Sequence, residues 1–444
     1  MNKEFHKKQN FFSFSDIDSE RKDRIMKFTS TEATPAPHVP PGVLRLTGAA
    51  KEDIPMYRIQ TMNKISPVGL NRFPSELYEV GDAVQDPQGI LVRSAKLLDL
   101  EFNPSLLAIA RAGVGVNNIP LDRCAAAGIP VFSTPGANAN AVKELVICAM
   151  LMGSRDIPGA IRWVREQAAS GADVSTVVEK GKSAFIGPEL YKKTLGIIGL
   201  GAIGSIVANT AISLGMDVYG YDPFLSVDTA LRLDRHVHVV KDINDLYKRS
   251  DYITMHIHYT EKTAHMIDAS AIAAMKRGVR VINLARGEIV DDEAMLTALD
   301  TGMVAAYITD FPNNRLLTAP HVIAMPHLGA STPESEQNCA AMAVDALRDY
   351  LESGNIRSSV NLPEMTMDRS GVQRLCVLHK NVPGMLANIT SLFGRDGVNV
   401  ENLSNKSRGD YAYTMVDLGS KVGDNVIEDV RRTANVIRVR SLKW

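Results

Sequence analysis

Gly199-Leu-Gly201-Ala-Ile-Gly204 stands between an apolar run, Leu195–Ile198, and a stretch of helical character reaching Ser213. A second apolar run ends at Asp222, 18 residues beyond Gly204. In such a turn the first glycine permits the sharp passage from strand to helix. The second lets backbone N–H groups approach a pyrophosphate, and the third lets the helix lie close on the sheet. The helix start favours an anion, because its first N–H groups are unpaired and its dipole is positive there. The Asp222 carboxylate suits the hydroxyls of an adenosine ribose and repels a 2′-phosphate, so the spacing points to NAD rather than NADP. Gly199, Gly201, Ala202, Ile203, Gly204 and Asp222 are therefore the expected cofactor residues. The plainer alternative is a glycine-rich turn of an ordinary α/β domain with a solvated aspartate.

From Thr194 to about Pro326, strand-like runs such as D-V-Y-G-Y-D, Y-I-T-M-H-I, V-R-V-I-N-L-A and A-A-Y-I-T-D alternate with helical stretches. That alternation predicts a doubly wound parallel sheet. Gly89–Ser94, Leu106–Ala112 and Ile129–Thr134 read as buried parallel strands of an earlier unit, without period-2 alternation because both faces are covered. The last 73 residues or so follow a βαββαβ order, the pattern of a ferredoxin-like sandwich. The expected fold is thus α/β, with two Rossmann-like doubly wound domains and a C-terminal ferredoxin-like domain. Residues 56–154, completed by 326–357, form the first domain, 155–325 the dinucleotide domain and 370–444 the last, after a polar linker around Ser358–Arg369. Residues 1–55 mix charge with Ser, Thr and Pro and read as a disordered extension.

Composition removes other classes. The 444 residues carry 49 basic and 50 acidic side chains, which argues against a nucleic-acid partner. The longest apolar stretch, Leu145–Met152, is far short of the roughly 20 residues a bilayer demands. Cys124, Cys148, Cys339 and Cys376 form no C-x-x-C pair, so the expected setting is a reducing cytoplasm and no metal is expected.

The glycine run with Y-D-P-F, together with Asn283–Asp291 (N-L-A-R-G-E-I-V-D) and Pro326–Thr332 (P-H-L-G-A-S-T), resembles the D-2-hydroxyacid dehydrogenases from about Tyr57 to Leu351. His379–Gly384 (H-K-N-V-P-G) and Asp396–Asn399 resemble the ligand loops of an ACT domain. The resemblance implies Arg286 as the cation that grips carboxylate and carbonyl, and His327 as the acid–base. Chemistry agrees: oxidising a secondary alcohol requires a base for the hydroxyl proton and a cation at the forming carbonyl. The resemblance also implies that His256, Ala285 and Asp310 lie around the nicotinamide. Arg93, Ser94, Gly113, Val114 and Gly115 fall at positions that meet the substrate's phosphate and carboxylate, and His379, Asn381 and Asn399 at positions that bind serine as an effector.

One departure stands out. The family's histidine-orienting glutamate is missing from T-D-F-P-N-N-R, and His327 follows Arg286 by only 41 residues. Asn313 or Asn314 are the nearest replacements, offering only a neutral dipole. The implied activity is NAD-dependent oxidation of 3-phospho-D-glycerate to 3-phosphohydroxypyruvate, with serine feedback, in a dimeric or tetrameric homo-oligomer. The alternatives are oxidation of a nonphosphorylated 2-hydroxy acid, or an NAD-sensing interaction protein on the same fold.

Overall fold

The computed structural model describes residues 56–444. The extension expected over residues 1–55 lies outside the described residues. The first sheet is parallel and has five strands: β1 (Tyr57–Thr61), β2 (Tyr78–Gly81), β3 (Gly89–Val92), β4 (Ala108–Arg111) and β5 (Val131–Phe132), in the order β2-β1-β3-β4-β5. Every residue of β3, G-I-L-V, is buried, which is why that strand shows no alternation.

Helix α1 (Ala139–Arg155) leads to the second sheet. Its seven strands are β6 (Thr194–Ile198), β7 (Asp217–Tyr221), β8 (Val237–Val240), β9 (Tyr252–Met255), β10 (Val279–Asn283), β11 (Val304–Thr309) and β12 (Val322–Ala324). They are ordered β12-β11-β10-β9-β6-β7-β8 and all run parallel. The strand order reverses between β6 and β9, and a ligand crevice forms at the carboxyl ends of strands at such a switch point. Helix α2 (Ala202–Ser213) follows β6 directly.

The domain boundary at residue 154 needs correction. Val142, Val146, Ala149 and Met150 of α1 form one apolar stripe, and they share a core with Leu195, Ile197 and Ile308 of the second sheet. By packing, α1 belongs to the dinucleotide unit. In helix α3 (Pro333–Ser353), Ala343, Val344, Leu347 and Tyr350 pack with Ile59, Leu91, Ala108 and Phe132 of the first unit. The chain therefore passes between the two units twice, before α1 and before α3.

The last unit runs β13 (Gln373–Lys380), α4 (Met385–Arg395), β14 (Val400–Arg408), β15 (Tyr411–Leu418), α5 (Asp424–Arg432) and β16 (Val436–Lys443). Its sheet is antiparallel in the order β14-β15-β13-β16. Leu375 and Val377 of β13 face the two helices, whereas Cys376 and Leu378 join the core built on α3. With both faces covered, β13 is almost wholly buried.

The segment Ser358–Arg369, expected as a polar linker, is packed. Leu362 and Met365 are buried, and the Asn361 side chain accepts from Val131 N at 2.9 Å and donates to Ile129 O at 2.9 Å. The Asn361 carboxamide thus pairs with the edge of the first sheet, while Glu364, Thr366 and Asp368 stay exposed.

The C-terminal end of α3 is closed by side chains of that last unit and the segment before it. Arg440 donates to the carbonyls of Tyr350 and Leu351 at 3.0 and 2.9 Å, Arg369 to Glu352 at 2.8 Å, and the Tyr413 hydroxyl to Gly354 at 2.6 Å. Arg374, fully buried, spends all five N–H donors: two on Asp417 at 2.6 and 2.7 Å and three on the carbonyls of Ser353, Met367 and Asp368, each at 2.9 Å. The final carbonyls of a helix lack intrahelical partners and carry the negative end of its dipole, so guanidinium donors answer both needs. No helix among the described residues is long and apolar enough to cross a membrane.

Candidate active site

The glycine turn has the shape its spacing requires. Gly199 has φ +90°, and a Cβ there would stand 2.6 Å from the His256 carbonyl oxygen. A Cβ on Gly204 would stand 1.9 Å from Gly199 O, so only glycine lets α2 approach the turn. Gly201 faces open space, with nothing within 4 Å of an added Cβ. Ala202 and Ile203 begin α2 at its positive end. The Asp222 carboxylate accepts from Leu200 N and Phe224 N, both at 2.9 Å, which ties it to the turn and leaves further lone pairs for ribose hydroxyls.

Among the described residues, four buried side-chain polar atoms lack a partner: Asn118 Oδ1, Thr134 Oγ1, Asn138 Oδ1 and Asp310 Oδ1. Thr134 and Asn138 flank Gly136, where an added Cβ would touch Ala202 at 3.2 Å. Unpaired buried groups are rare in native proteins and mark places where a ligand or water completes the bonding. The open glycine turn and these unpaired atoms fit a dinucleotide lying along the crevice.

Arg286 and His327 converge on one ring. The guanidinium of Arg286 lies 5.8 Å from the centroid of Phe311, and the His327 ring packs against Phe311 in a tilted arrangement, 4.7 Å between centroids and 50° between planes. His327 is exposed and Arg286 half-buried, beside a cleft of about 800 Å³ lined by Asp310, Phe311 and His327. The Arg286 loop is held from below by Asn283, fully buried, which donates to Arg286 O at 2.8 Å and accepts from Ala285 N at 3.1 Å. Ala285 is buried, and its carbonyl accepts from Arg286 Nη1 at 2.6 Å.

Among the described residues, neither expected stand-in for the missing glutamate hydrogen-bonds to His327. Asn313 is committed elsewhere: it donates to Asp292 at 2.7 Å and accepts from the N–H groups of Arg315 and Leu316 at 3.1 Å. Asn314 is exposed. Asp310, 1% exposed, is tied to the His327 segment: its Oδ2 accepts from Gly329 N at 3.4 Å, and its Oδ1 has no partner. Burial pushes its carboxyl above the ordinary carboxylate range, and the positive form of His327 works against that rise. His256, next to the glycine turn, is driven down to about 4 by its withdrawal from water, so it is neutral at physiological pH and carries no proton for the reaction.

Arg93 and Ser94 are exposed at the end of β3, and Gly113 has φ +156° in the turn after β4. Sequence reasoning missed Arg111. Its Nε donates to Arg93 O at 2.9 Å, and its Nη1 would touch a Cβ on Gly113 at 2.8 Å. Arg286 Nη2 lies 3.5 Å from the Cβ position of Gly115. Arg111 is held below the ordinary guanidinium value by burial first, then by the positive charges of Arg286 and Arg93. Three arginines thus gather around the Gly113-Val114-Gly115 turn. An arginine within an apolar strand gives no local signal of this; only the register of β3 and β4 brings it there.

In the last unit the three expected effector residues all have partners within the chain. His379 is 2% exposed, with Nδ1 at 2.8 Å from Lys380 O and Nε2 at 2.8 Å from Thr414 Oγ1. Asn381 donates to Gly409 O at 3.1 Å and Asn399 to Glu401 at 3.0 Å. The expectation that His379 offers its ring to a ligand is therefore corrected, because both nitrogens are used inside the sheet. Asn381 and Asn399 remain at the surface.

Residues 147–329 match the family described as D-isomer specific 2-hydroxyacid dehydrogenase, NAD binding domain. The chain is 36% identical over 326 residues to D-3-phosphoglycerate dehydrogenase of Synechocystis, a match covering 71% of this chain and 56% of that protein. It is 31% identical over 384 residues to D-3-phosphoglycerate dehydrogenase of Escherichia coli, covering 82% of this chain and 89% of the relative. The crystal structure of NAD+-bound 3-phosphoglycerate dehydrogenase from Entamoeba histolytica superposes with a TM-score of 0.54 at 26% identity, covering 69% of this chain and 99% of that one. Against several of these relatives the chain spans little more than half their length. With the glycine turn, the Arg286 loop and the His327 segment in place, the chain belongs to the D-2-hydroxyacid dehydrogenase family.

Proposed function

We propose that this protein oxidises 3-phospho-D-glycerate to 3-phosphohydroxypyruvate with NAD. The observation that carries the reading is the meeting of Arg286 and His327 on Phe311, beside a turn touched by Arg111 and Arg286, with Arg93 next to Arg111. Bound NAD would supply the two-electron acceptor. The protein's residues do the rest. Arg286 grips the substrate carboxylate with its planar fork and polarises the oxygen that becomes a carbonyl. His327 removes the hydroxyl proton. Arg93 and Ser94 meet the phosphate, and the Gly113-Val114-Gly115 turn lets the acid lie close to the backbone. Following NADH absorbance with 3-phosphoglycerate tests the reading: turnover is expected, with a Michaelis constant that rises with salt, and a preference for the nonphosphorylated acid would replace it by another hydroxyacid activity.

Asp310 takes the missing glutamate's electrostatic part. Asp310→Asn keeps the size of the side chain and removes the carboxylate from the His327 segment. The variant is expected to lower kcat/KM for oxidation about tenfold with thermal melting little changed, measured by steady-state kinetics beside a melting curve.

We read the C-terminal unit as an ACT domain that takes serine. With the His379 ring engaged, Asn381 and Asn399 carry that contact. Self-association is supported by an apolar surface on residues 157–185, where Ile161 is 51% exposed beside Ile157, Val164 and Phe185. Four free cysteines accord with a cytoplasmic setting.

A further inference from the structure

Of the three arginines around the substrate turn, Arg93 alone has an acidic partner among the described residues. Its Nη2 meets Glu336 Oε1 at 2.5 Å, and both side chains are 44% exposed. Glu336 stands in the first turn of α3, where the helix dipole favours a carboxylate. The backbone of the Arg93 loop is also held. Asn63 Oδ1 accepts from the N–H groups of Arg93, Ser94 and Ala95 at 3.3, 3.0 and 2.8 Å. Successive N–H groups of this kind can form an anion-binding nest, and here the carboxamide oxygen of Asn63 already fills it. An anion reaching this loop must therefore be met by the Arg93 guanidinium, and that guanidinium is engaged by Glu336.

We propose that Glu336 sets substrate specificity by holding Arg93 until a phosphate displaces it. The proposal rests on the reading that Arg93 meets the substrate's phosphate. A half-exposed ion pair is weak and easily exchanged. A phosphate dianion offers the planar fork a stronger, two-pronged partner than a single carboxylate oxygen. A ligand ending in a hydroxyl has no means to take Arg93 away. Once displaced, the Glu336 carboxylate stays close to the bound dianion and repels it, so the residue lowers affinity for the phosphorylated acid while enforcing the need for one.

The test compares the full chain with Glu336→Gln, Glu336→Asp and Arg93→Gln. Michaelis constants for 3-phosphoglycerate and D-glycerate are measured, together with calorimetric titration by inorganic phosphate. Glu336→Gln is expected to lower both the KM for 3-phosphoglycerate and the Kd for inorganic phosphate about 3–10-fold, with the gain shrinking as salt is raised. The KM for D-glycerate does not fall in step, and Glu336→Asp, which keeps the charge, stays close to the parent. An unchanged or weaker affinity in Glu336→Gln, alongside a raised KM in Arg93→Gln, overturns the exchange and keeps Arg93 as the phosphate contact. If Arg93→Gln leaves the KM and the phosphate Kd where they were, the phosphate site itself is misassigned. The calorimetric arm reads the exchange without turnover, so it separates failure of this proposal from failure of the dehydrogenase reading.

Discussion

Arg286→Ala is expected to lower kcat/KM for the hydroxy acid by about 10³-fold, because in the proposed reaction one guanidinium serves both as carboxylate anchor and as the positive charge at the developing carbonyl. Arg286→Lys keeps a charge but loses the fork, and falls between the two. The loss should appear in kcat as well as in KM, since the carbonyl contact strengthens only as the reaction proceeds. Folding is barely affected: the hydrogen bond the Arg286 side chain makes within the chain is the one to the neighbouring Ala285 carbonyl. Steady-state kinetics beside NADH binding and thermal melting check this. A variant that binds NADH and melts like the parent, yet turns over at the parent's rate, would place the cation elsewhere.

The largest effect on stability is expected at Asp417. Removing its carboxylate strands the buried Arg374 charge, a situation that typically costs about 3–5 kcal/mol. Urea unfolding of Asp417→Ala should show a midpoint well below the parent's. The double variant Arg374→Leu/Asp417→Leu removes both charges and should recover part of the loss. Recovery stays incomplete because Arg374 also serves the carbonyls of Ser353, Met367 and Asp368, which would be left without those donors.

Both parallel sheets and the terminal antiparallel one are visible in the chain because their strands are short apolar runs bounded by turn residues. β1 and β2 are not, since Y-R-I-Q-T and Y-E-V-G each bury a single residue, Ile59 and Tyr78, and look like polar edge segments. The allegiance of α1 is equally hidden. An apolar stripe states that a helix is covered without saying by which sheet. Ser358–Arg369 misleads for a related reason: polar composition marks hydrogen-bonding capacity, which Asn361 satisfies against β5.

In the candidate site, Arg286, His327 and the glycine turn stand out in the sequence because motif and chemistry coincide there. Phe311 and Arg111 are not. A phenylalanine in T-D-F-P and an arginine in A-I-A-R-A acquire their roles only when separate loops meet. The same limit explains His379, whose motif position suggests a ligand contact while the register of β13 against β15 sets its ring beside Thr414.

The second of the two passages between the parallel sheets, the one leading into α3, is the stretch that carries His327. Any opening of the crevice has only those two strands of backbone to pivot on, so the imidazole sits on the hinge itself. On the proposed reading, any swing of one unit against the other turns the proposed proton acceptor with it, so proton removal would be timed with the expulsion of bulk solvent.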